Sequence, residues 1–254
     1  INLLSCLVRY HDMAFPIGYD IISKDQYFCD LKTKKEKRKS SITKNERFRL
    51  LITQALINQI KFDYILSDNW FGAKDNMEFI HYEVEKMFIM GMKSNRLIAL
   101  SFEDMKKGQY QNLNTFEPKD GEKRIVWLKD LSFPVALITK IFKNEDGSTG
   151  TLYLVTNDLE SSADRIYEVY KKRWRIEEYH KSIKQNASLE KSPTKVMRSQ
   201  RNHIFASIIA YCKLEMLRIK TSLGHFALKY KLLVKANQMA FQELQLLREK
   251  AMRA

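Results

Sequence analysis

Tyr170-Lys-Lys-Arg173-Trp-Arg-Ile-Glu177-Glu-Tyr-His-Lys181-Ser-Ile-Lys184 runs without a glycine or proline and is built of helix formers. The stretch therefore predicts one helix, within a longer one over about 161–187. Counting about 100° per residue from Tyr170, Arg173 falls near about 300°, Glu177 near about 340°, Lys184 near about 320° and Lys181 near about 20°. One carboxylate thus shares a strip with an arginine, two lysines and a tyrosine. A solvated face with i,i+4 charge pairs produces some of this pattern. The full set suits a place where a metal ion and a phosphate backbone arrive together.

A second acid stands far upstream. Phe62-Asp-Tyr-Ile-Leu-Ser-Asp68 is a short, nearly continuous apolar run of buried-strand type that closes on a carboxylate. Groups that bind ligands in open α/β sheets collect at the carboxyl ends of strands. Taken alone, Asp68 reads better as a turn or N-cap acid. Only the fold can bring it to Glu177.

Tyr170, Arg173, Glu177 and Lys184 fit the Y-x2-R-x3-E-x6-K signature of one large group of bacterial insertion-sequence transposases, and "RWRIEEYHK" resembles that family's wording. "YILSDNWF" around Asp68 and "YLVTND" ahead of the signature are similar to it as well. The resemblance covers about residues 2–190. It implies an α/β, ribonuclease H-like core with three catalytic carboxylates, of which Asp68 is the second and Glu177 the last, and a β-rich insertion between them. It implies Mg2+ (or Mn2+) held by Asp68 and Glu177, cleavage at transposon ends, and transfer of the freed 3′-hydroxyl into target DNA. Carboxylates suit this because hard divalent cations take oxygen ligands, activate a water or hydroxyl and stabilise the leaving oxygen. Arg173, Lys181 and Lys184 would then hold double-stranded DNA, with Tyr170 either donating to a phosphate or packing its ring. Some members stack a displaced base on tryptophan; Trp127 is open to that role, and Trp70 is expected in the core.

The pattern has a gap. The family's first aspartate lies in an Asp-Asp-Thr-like run upstream of text similar to residues 2–22, and no such run is present. Asp12 reads as a turn residue and Asp20 as a strand residue in the wrong context. Ile1 leads straight into the apolar Leu3–Val8, so the chain is expected to begin inside a sheet, N-terminally truncated and inactive by itself. Two other readings stay open: a DNA-binding remnant without catalysis, and another ribonuclease H-like DNA nuclease.

Composition agrees with a DNA partner. The 254 residues carry a net charge of +14, with a pI near 9.5. Such an excess of Lys and Arg neutralises phosphates irrespective of sequence. Cys6, Cys29 and Cys212 form no zinc pair and no disulfide framework, which predicts a reduced, cytoplasmic setting. No apolar run is long enough for a bilayer and no signal peptide opens the chain. No Gly-rich phosphate loop or nucleophile elbow is present.

The remaining elements follow from pattern. Strands are predicted at 3–10 and 15–22, a patternless basic arm at 24–44 around Lys32–Lys39, and a helix capped by Thr43 with Glu46. Next come the strand ending at Asp68, a helix over about 73–91 and a strand at 96–101. The span 102–158, punctuated by Gly108, Pro118, Gly121, Pro134, Gly147 and Gly150, carries β runs at 124–129, 133–143 and 151–156. Helices close the chain at 161–187, 194–221 and 224–253. The domain boundaries drawn from this are 1–101, 102–158, 159–190 and 191–254. Ile204, Ile208, Tyr211, Cys212 and Met216 are expected as a core stripe. Leu232, Leu233, Met239, Leu244 and Leu247 on the last helix are either internal packing or a face for homodimers.

Overall fold

The computed structural model describes residues 2–117, 119–192 and 196–253. Ile1, Pro118 and the start of the predicted 194–221 helix (Thr194, Lys195) lie outside the described residues. The chain divides into two compact units, one of residues 1–6 and 18–174, the other of residues 7–17 and 175–254.

The first unit is built on a mixed seven-stranded sheet. Its strands are β5 (Tyr64–Ser67), β6 (Met87–Met92), β7 (Leu97–Ala99), β8 (Gln111–Asn112), β9 (Lys123–Leu128), β10 (Val135–Lys143) and β11 (Thr149–Thr156), in the order β5-β6-β11-β10-β9-β7-β8. Strands β5 and β6 run parallel, with Ser67 opposite Met90, whereas β6, β11, β10 and β9 pair antiparallel. The β-rich span therefore extends the sheet that carries Asp68. Earlier in the chain, β1 (Leu3–Tyr10) pairs with β2 (Met13–Ile21), and β3 (Gln26–Asp30) pairs with β4 (Lys35–Lys39).

Alternation along the central strands feeds two cores, one on each face. Phe88, Met90, Val135, Leu137, Tyr153 and Val155 pack with Ile52, Met77, Ile80 and Val84. Ile89, Ala136, Ile138 and Leu154 pack with Ile166, Val169 and Tyr170 of helix α4 (Ala163–Lys171). The apolar runs have no polar face because both faces are covered. Helix α1 (Lys44–Ile57) opens as the sequence predicts: Thr43 Oγ1 accepts the Glu46 amide at 3.2 Å, and Glu46 Oε2 accepts the Thr43 amide at 2.6 Å.

Three predicted elements are corrected. The helix over 73–91 is helix α2 (Lys74–Glu78), a π-helical turn over Phe79–Val84 and then strand β6. Glu85 takes a left-handed conformation (φ 55°) that ends the helix, and the buried Phe88-Ile-Met90 enters the sheet. A buried strand and a buried helix segment read alike in periodicity.

The basic arm is the hairpin β3–β4. Strand β4 has no apolar residue, so no pattern marks it. It is held from across the pair: Arg38 lies 4.5 Å from the Tyr27 ring centre, Lys39 5.7 Å from that of Phe28, and Lys37 pairs with Asp30. Asp30 Oδ1 also accepts the turn amides of Lys32 and Thr33.

The signature is not one helix either. Tyr170 ends α4, Lys172–Trp174 form a 3-10 turn, and α5 spans Arg175–Gln185. A 3-10 turn advances about three residues per turn, so the strip projected at 100° per residue does not run through the break. Neither glycine nor proline marks the place.

The second unit holds α5, α6 (Met197–Thr221), α7 (His225–Arg253) and the tip of the β1–β2 hairpin. Its centre is a buried acid, Glu215. It accepts the Ala14 amide at 3.0 Å and bonds from Arg218 at 2.8 and 3.0 Å, and His225 Nε2 lies 2.8 Å from it. His225 Nδ1 meets Ser182 Oγ of α5 at 2.8 Å, and Tyr211 donates to Ala14 O at 3.1 Å. Burial pushes the Glu215 carboxyl up, but His225, Arg218 and the Ala14 amide outweigh it and hold it at about 2. The expected stripe on α6 is corrected in part: Ile204, Ile208 and Tyr211 are buried, Cys212 is half-buried and Met216 is exposed, with Leu214 buried beside Glu215. Among the described residues no helix is long and apolar enough to cross a membrane.

Candidate nucleic-acid and metal site

Asp68 follows the last residue of β5, at the carboxyl end of the parallel β5–β6 pair. Its Oδ1 accepts the Trp70 amide at 2.9 Å, so a local turn pins the carboxylate by one oxygen while the residue stays exposed. The rest of the loop is clamped from below. Phe71 stacks on Phe48 at 4.8 Å between ring centres, and the fully buried Asn76 donates to the Phe71 carbonyl at 2.9 Å. Arg49 in turn donates to Asn76 Oδ1 at 2.8 Å, and Arg96 donates to the Gly72 carbonyl at 3.1 Å. A rigid acid at a strand end results.

Two glycines let this loop lie against β6. A Cβ on Gly72 would meet the Gly91 carbonyl oxygen at 2.8 Å, and one on Gly91 would meet the Asn69 amide nitrogen at 2.9 Å and the Tyr170 hydroxyl at 3.3 Å. Tyr170 therefore brings its hydroxyl to the Asp68 loop through the space that Gly91 leaves. Its ring is buried, and burial pushes its phenol above the ordinary range; Arg173 opposes that shift and the Asp68 charge adds to it. Arg173 hydrogen-bonds the Tyr170 hydroxyl, with its guanidinium 5.7 Å from the ring centre. Asp68, Tyr170 and Arg173 are thus drawn together in the first unit. Of the two roles open to Tyr170, the ring is packed, and the hydroxyl is presented beside the acid.

Glu177, Lys181 and Lys184 lie on α5 of the second unit, at i, i+4 and i+7, and all three are exposed. Burial holds His180 below the ordinary histidine range, while Glu177 pulls it up and Lys184 pushes it down, so both charges act on that ring. Lys184 Nζ reaches Glu190 at 3.3 Å, and Lys181 Nζ lies 5.8 Å from the Phe226 ring centre.

Of the two tryptophans, Trp70 departs from its expected place. Trp70, expected in the core, is 57% exposed next to Asp68, with Lys44 and Lys93 ammoniums 5.1 and 5.5 Å from its ring centre. Trp127 is half-buried on β9 and packs on Phe102 at 5.0 Å. Sequence reasoning missed Trp70 because an aromatic after a buried strand reads as core; its neighbours Asn69 and Lys74 were the available polar signal. Lys74, Arg96 and Lys129 also line a cavity of about 220 Å3 bordered by Gly72.

Other acids serve structure. In the "YLVTND" run, Asn157 Oδ1 accepts the Phe88 amide at 2.8 Å and its Nδ2 donates to the Lys86 carbonyl at 3.0 Å. Asp158 accepts from Tyr64 and from the Ser161 amide. Asp20 is paired with Arg47, and Asp12 with Arg218. Among the described residues no group of three or more His, Cys, Asp or Glu side chains is assembled that could hold a metal ion. Asp68 fits as one ligand of a hard cation, which takes several oxygens, and among the described residues no full cage is assembled around it.

Among curated proteins none matches the chain. The family model described as transposase DDE domain matches residues 36–213, which takes in Asp68 and the whole signature and leaves the β1–β2 hairpin outside. With that match over well more than half of its length, the chain belongs to the transposase DDE domain family.

Proposed function

We propose that this chain contributes the second and last carboxylates, Asp68 and Glu177, to a centre for DNA strand cleavage and transfer of an insertion sequence, on a ribonuclease H-like core, where they are two of the carboxylates that hold divalent cations (Mg2+ or Mn2+). The observation that carries the reading is the convergence of Asp68, Tyr170 and Arg173 at the carboxyl end of β5. Bound cations would activate the attacking oxygen and stabilise the leaving one. The chain's own side chains have simpler tasks. Arg173, oriented by Tyr170, offers a planar fork to a phosphate; Lys181 and Lys184 add point charges. Trp70, between two lysines, offers a ring for an unpaired base with cations for its flanking phosphates, and Trp127 is secondary to it. The β3–β4 ribbon adds an exposed basic strand to track the backbone of double-stranded DNA. Two copies, one for each transposon end, complete the reading.

The test is Mn2+ binding, read by electron paramagnetic resonance, to the chain on a duplex carrying the terminal repeat. Asp68→Asn and Glu177→Gln are each expected to weaken Mn2+ binding about tenfold while leaving DNA affinity within about twofold. Unchanged Mn2+ affinity in both variants sinks the proposal. A second reading, DNA binding without cleavage, is favoured by the absence of a three-ligand group among the described residues. It predicts no DNA-dependent Mn2+ site at all.

A further inference from the structure

Where β9 ends beside β7, cationic side chains from three separate parts of the chain come to one cavity. Lys74 opens α2, Arg96 stands in the turn between β6 and β7, and Lys129 follows the last residue of β9. All three are exposed and line the cavity of about 220 Å3 bordered by Gly72. Among the described residues the one acid that lines it is Asp130. Its floor is the edge of the sheet's core, where Met77, Met92, Leu128 and Leu131 are buried members of one cluster.

The backbone under these cations is fixed. Lys129 donates its amide to the Leu97 carbonyl at 3.0 Å, Leu113 donates to the Arg96 carbonyl at 2.9 Å, and Leu131 donates to the Leu128 carbonyl at 3.1 Å. The cationic ends are less committed. Arg96 gives one guanidinium nitrogen to the Gly72 carbonyl at 3.1 Å and keeps the rest of its fork. Lys74 lies 3.8 Å from Glu78, at the limit of an ion pair. Among the described residues no hydrogen bond or ion pair engages the Lys129 ammonium.

Cations around an apolar floor call for an anion that also carries apolar surface. Pockets that enclose a whole small ligand measure about 300–1,000 Å3, so this smaller one suits an end group. A phosphate inside a nucleic-acid chain carries a single charge and has backbone leaving on both sides. A terminal phosphate monoester carries about 1.5 to 2 negative charges at neutral pH and has one neighbour. We propose that this cavity holds the 5′-phosphate of a terminal nucleotide. Arg96 forks the phosphate, Lys74 and Lys129 add point charges, and the sugar and base lie on the methionine floor. Strand hydrolysis makes such an end. Water's oxygen bonds the phosphorus, the P–O3′ bond breaks, the 3′-oxygen leaves as a hydroxyl with a proton from the water, and the phosphate stays on the 5′ end as a monoester. Gly72 lies in the loop that Asp68 opens, so the cavity keeps this end beside the strand-end acid.

The proposal rests on the strand-cleavage reading only for where the end comes from. Its test contains no divalent metal and no transposon-end sequence, so its failure leaves that reading standing, and a chain that cuts nothing still passes it. Fluorescence anisotropy compares one short single-stranded DNA, labelled at its 3′ end, with a 5′-phosphate or a 5′-hydroxyl. The phosphorylated strand is expected to bind about tenfold tighter, the scale of one or two charge-assisted hydrogen bonds. Lys74→Ala/Lys129→Ala should remove that preference while the 5′-hydroxyl strand stays within about twofold of wild type. Asp130→Asn withdraws the one lining acid and should raise the preference about threefold, a gain that misfolding does not produce. Deoxyadenosine monophosphate should compete for the site at concentrations where inorganic phosphate does not. Equal binding of the two strands by the wild type overturns the proposal, as does a preference that survives Lys74→Ala/Lys129→Ala or fails to rise in Asp130→Asn. Equal competition by inorganic phosphate also overturns it, since the floor then takes no nucleotide.

Discussion

Gly91 decides how near the Asp68 loop comes to the sheet. The atoms that a side chain there would meet are the Asn69 backbone and the Tyr170 hydroxyl, and a backbone on a clamped loop cannot step aside cheaply. Gly91→Ala is therefore expected to cost about 1–3 kcal/mol, as overpacking of a buried site does. It should also loosen the contact between Tyr170 and the loop. Gly224 provides the comparison, since an added Cβ there meets nothing within 4 Å. Gly224→Ala should stay within about 0.5 kcal/mol of wild type or stabilise slightly. Urea unfolding of both variants measures this; equal stabilities would show that the loop yields freely. Gly72 and Gly91 were invisible as site residues in the sequence, because a missing side chain has no pattern until its neighbour is known. The sequence offered Asp68 and the four signature residues as candidates for the opposite reason: the signature carries charge and hydroxyl groups at fixed spacing, and Asp68 closes an apolar run.

At the scale of elements, the sequence reading succeeded where turn or cap residues bound an element and failed where nothing in the pattern marks its limits. The β9–β11 strands and α1 were found, the latter because Thr43 and Glu46 announce its start. Strand β6 was read as helix because Phe88–Met92 is apolar throughout and buried on both sides. Strand β4 was read as a loop because all its residues are exposed and its bonds come from Tyr27, Phe28 and Asp30 opposite. The break at Lys172–Trp174 was missed because it carries neither glycine nor proline.

Glu215 was also beyond reach, since a lone acid in a helix reads as solvated. Its network ties Ala14, Ser182, Arg218 and His225, hence a hairpin tip and three helices. The sign of its pH effect is fixed by its depressed pKa, about 2 against an ordinary 4.5. Unfolded chains take up the proton first, so the stabilisation is complete above about pH 4.5 and fades as pH falls towards 2. Asp12, lowered by Arg218, fades over part of the same window. Glu215→Ala should cost about 3–5 kcal/mol at neutral pH, since it strands His225 and Arg218. Glu215→Gln should flatten the loss of stability between neutral and acid pH. Urea unfolding at several pH values checks both, and an unchanged pH slope in Glu215→Gln would remove Glu215 from the account.

At the scale of the molecule, charge and carboxylates make separate demands. A net charge of +14 supports DNA binding that weakens steeply with salt, since each phosphate contact contributes about one unit to the logarithmic salt slope. Catalysis asks more. Two hard cations take several oxygens each, and Asp68 and Glu177 are two side chains. Asp20 and Asp12, the remaining acids that the sequence offered, are committed to Arg47 and Arg218. Residues 1–254 alone are accordingly expected to bind a transposon-end duplex with strong salt dependence and to leave it uncut in Mg2+ or Mn2+. The measurement is nicking of that duplex by the purified chain, run beside its DNA affinity at two salt concentrations. Sustained nicking that disappears in both Asp68→Asn and Asp20→Asn would mean that Asp20 leaves Arg47 to complete the centre. Nicking lost in Asp68→Asn but kept in Asp20→Asn would mean that two side-chain carboxylates, with water and DNA oxygens filling the other positions, are enough.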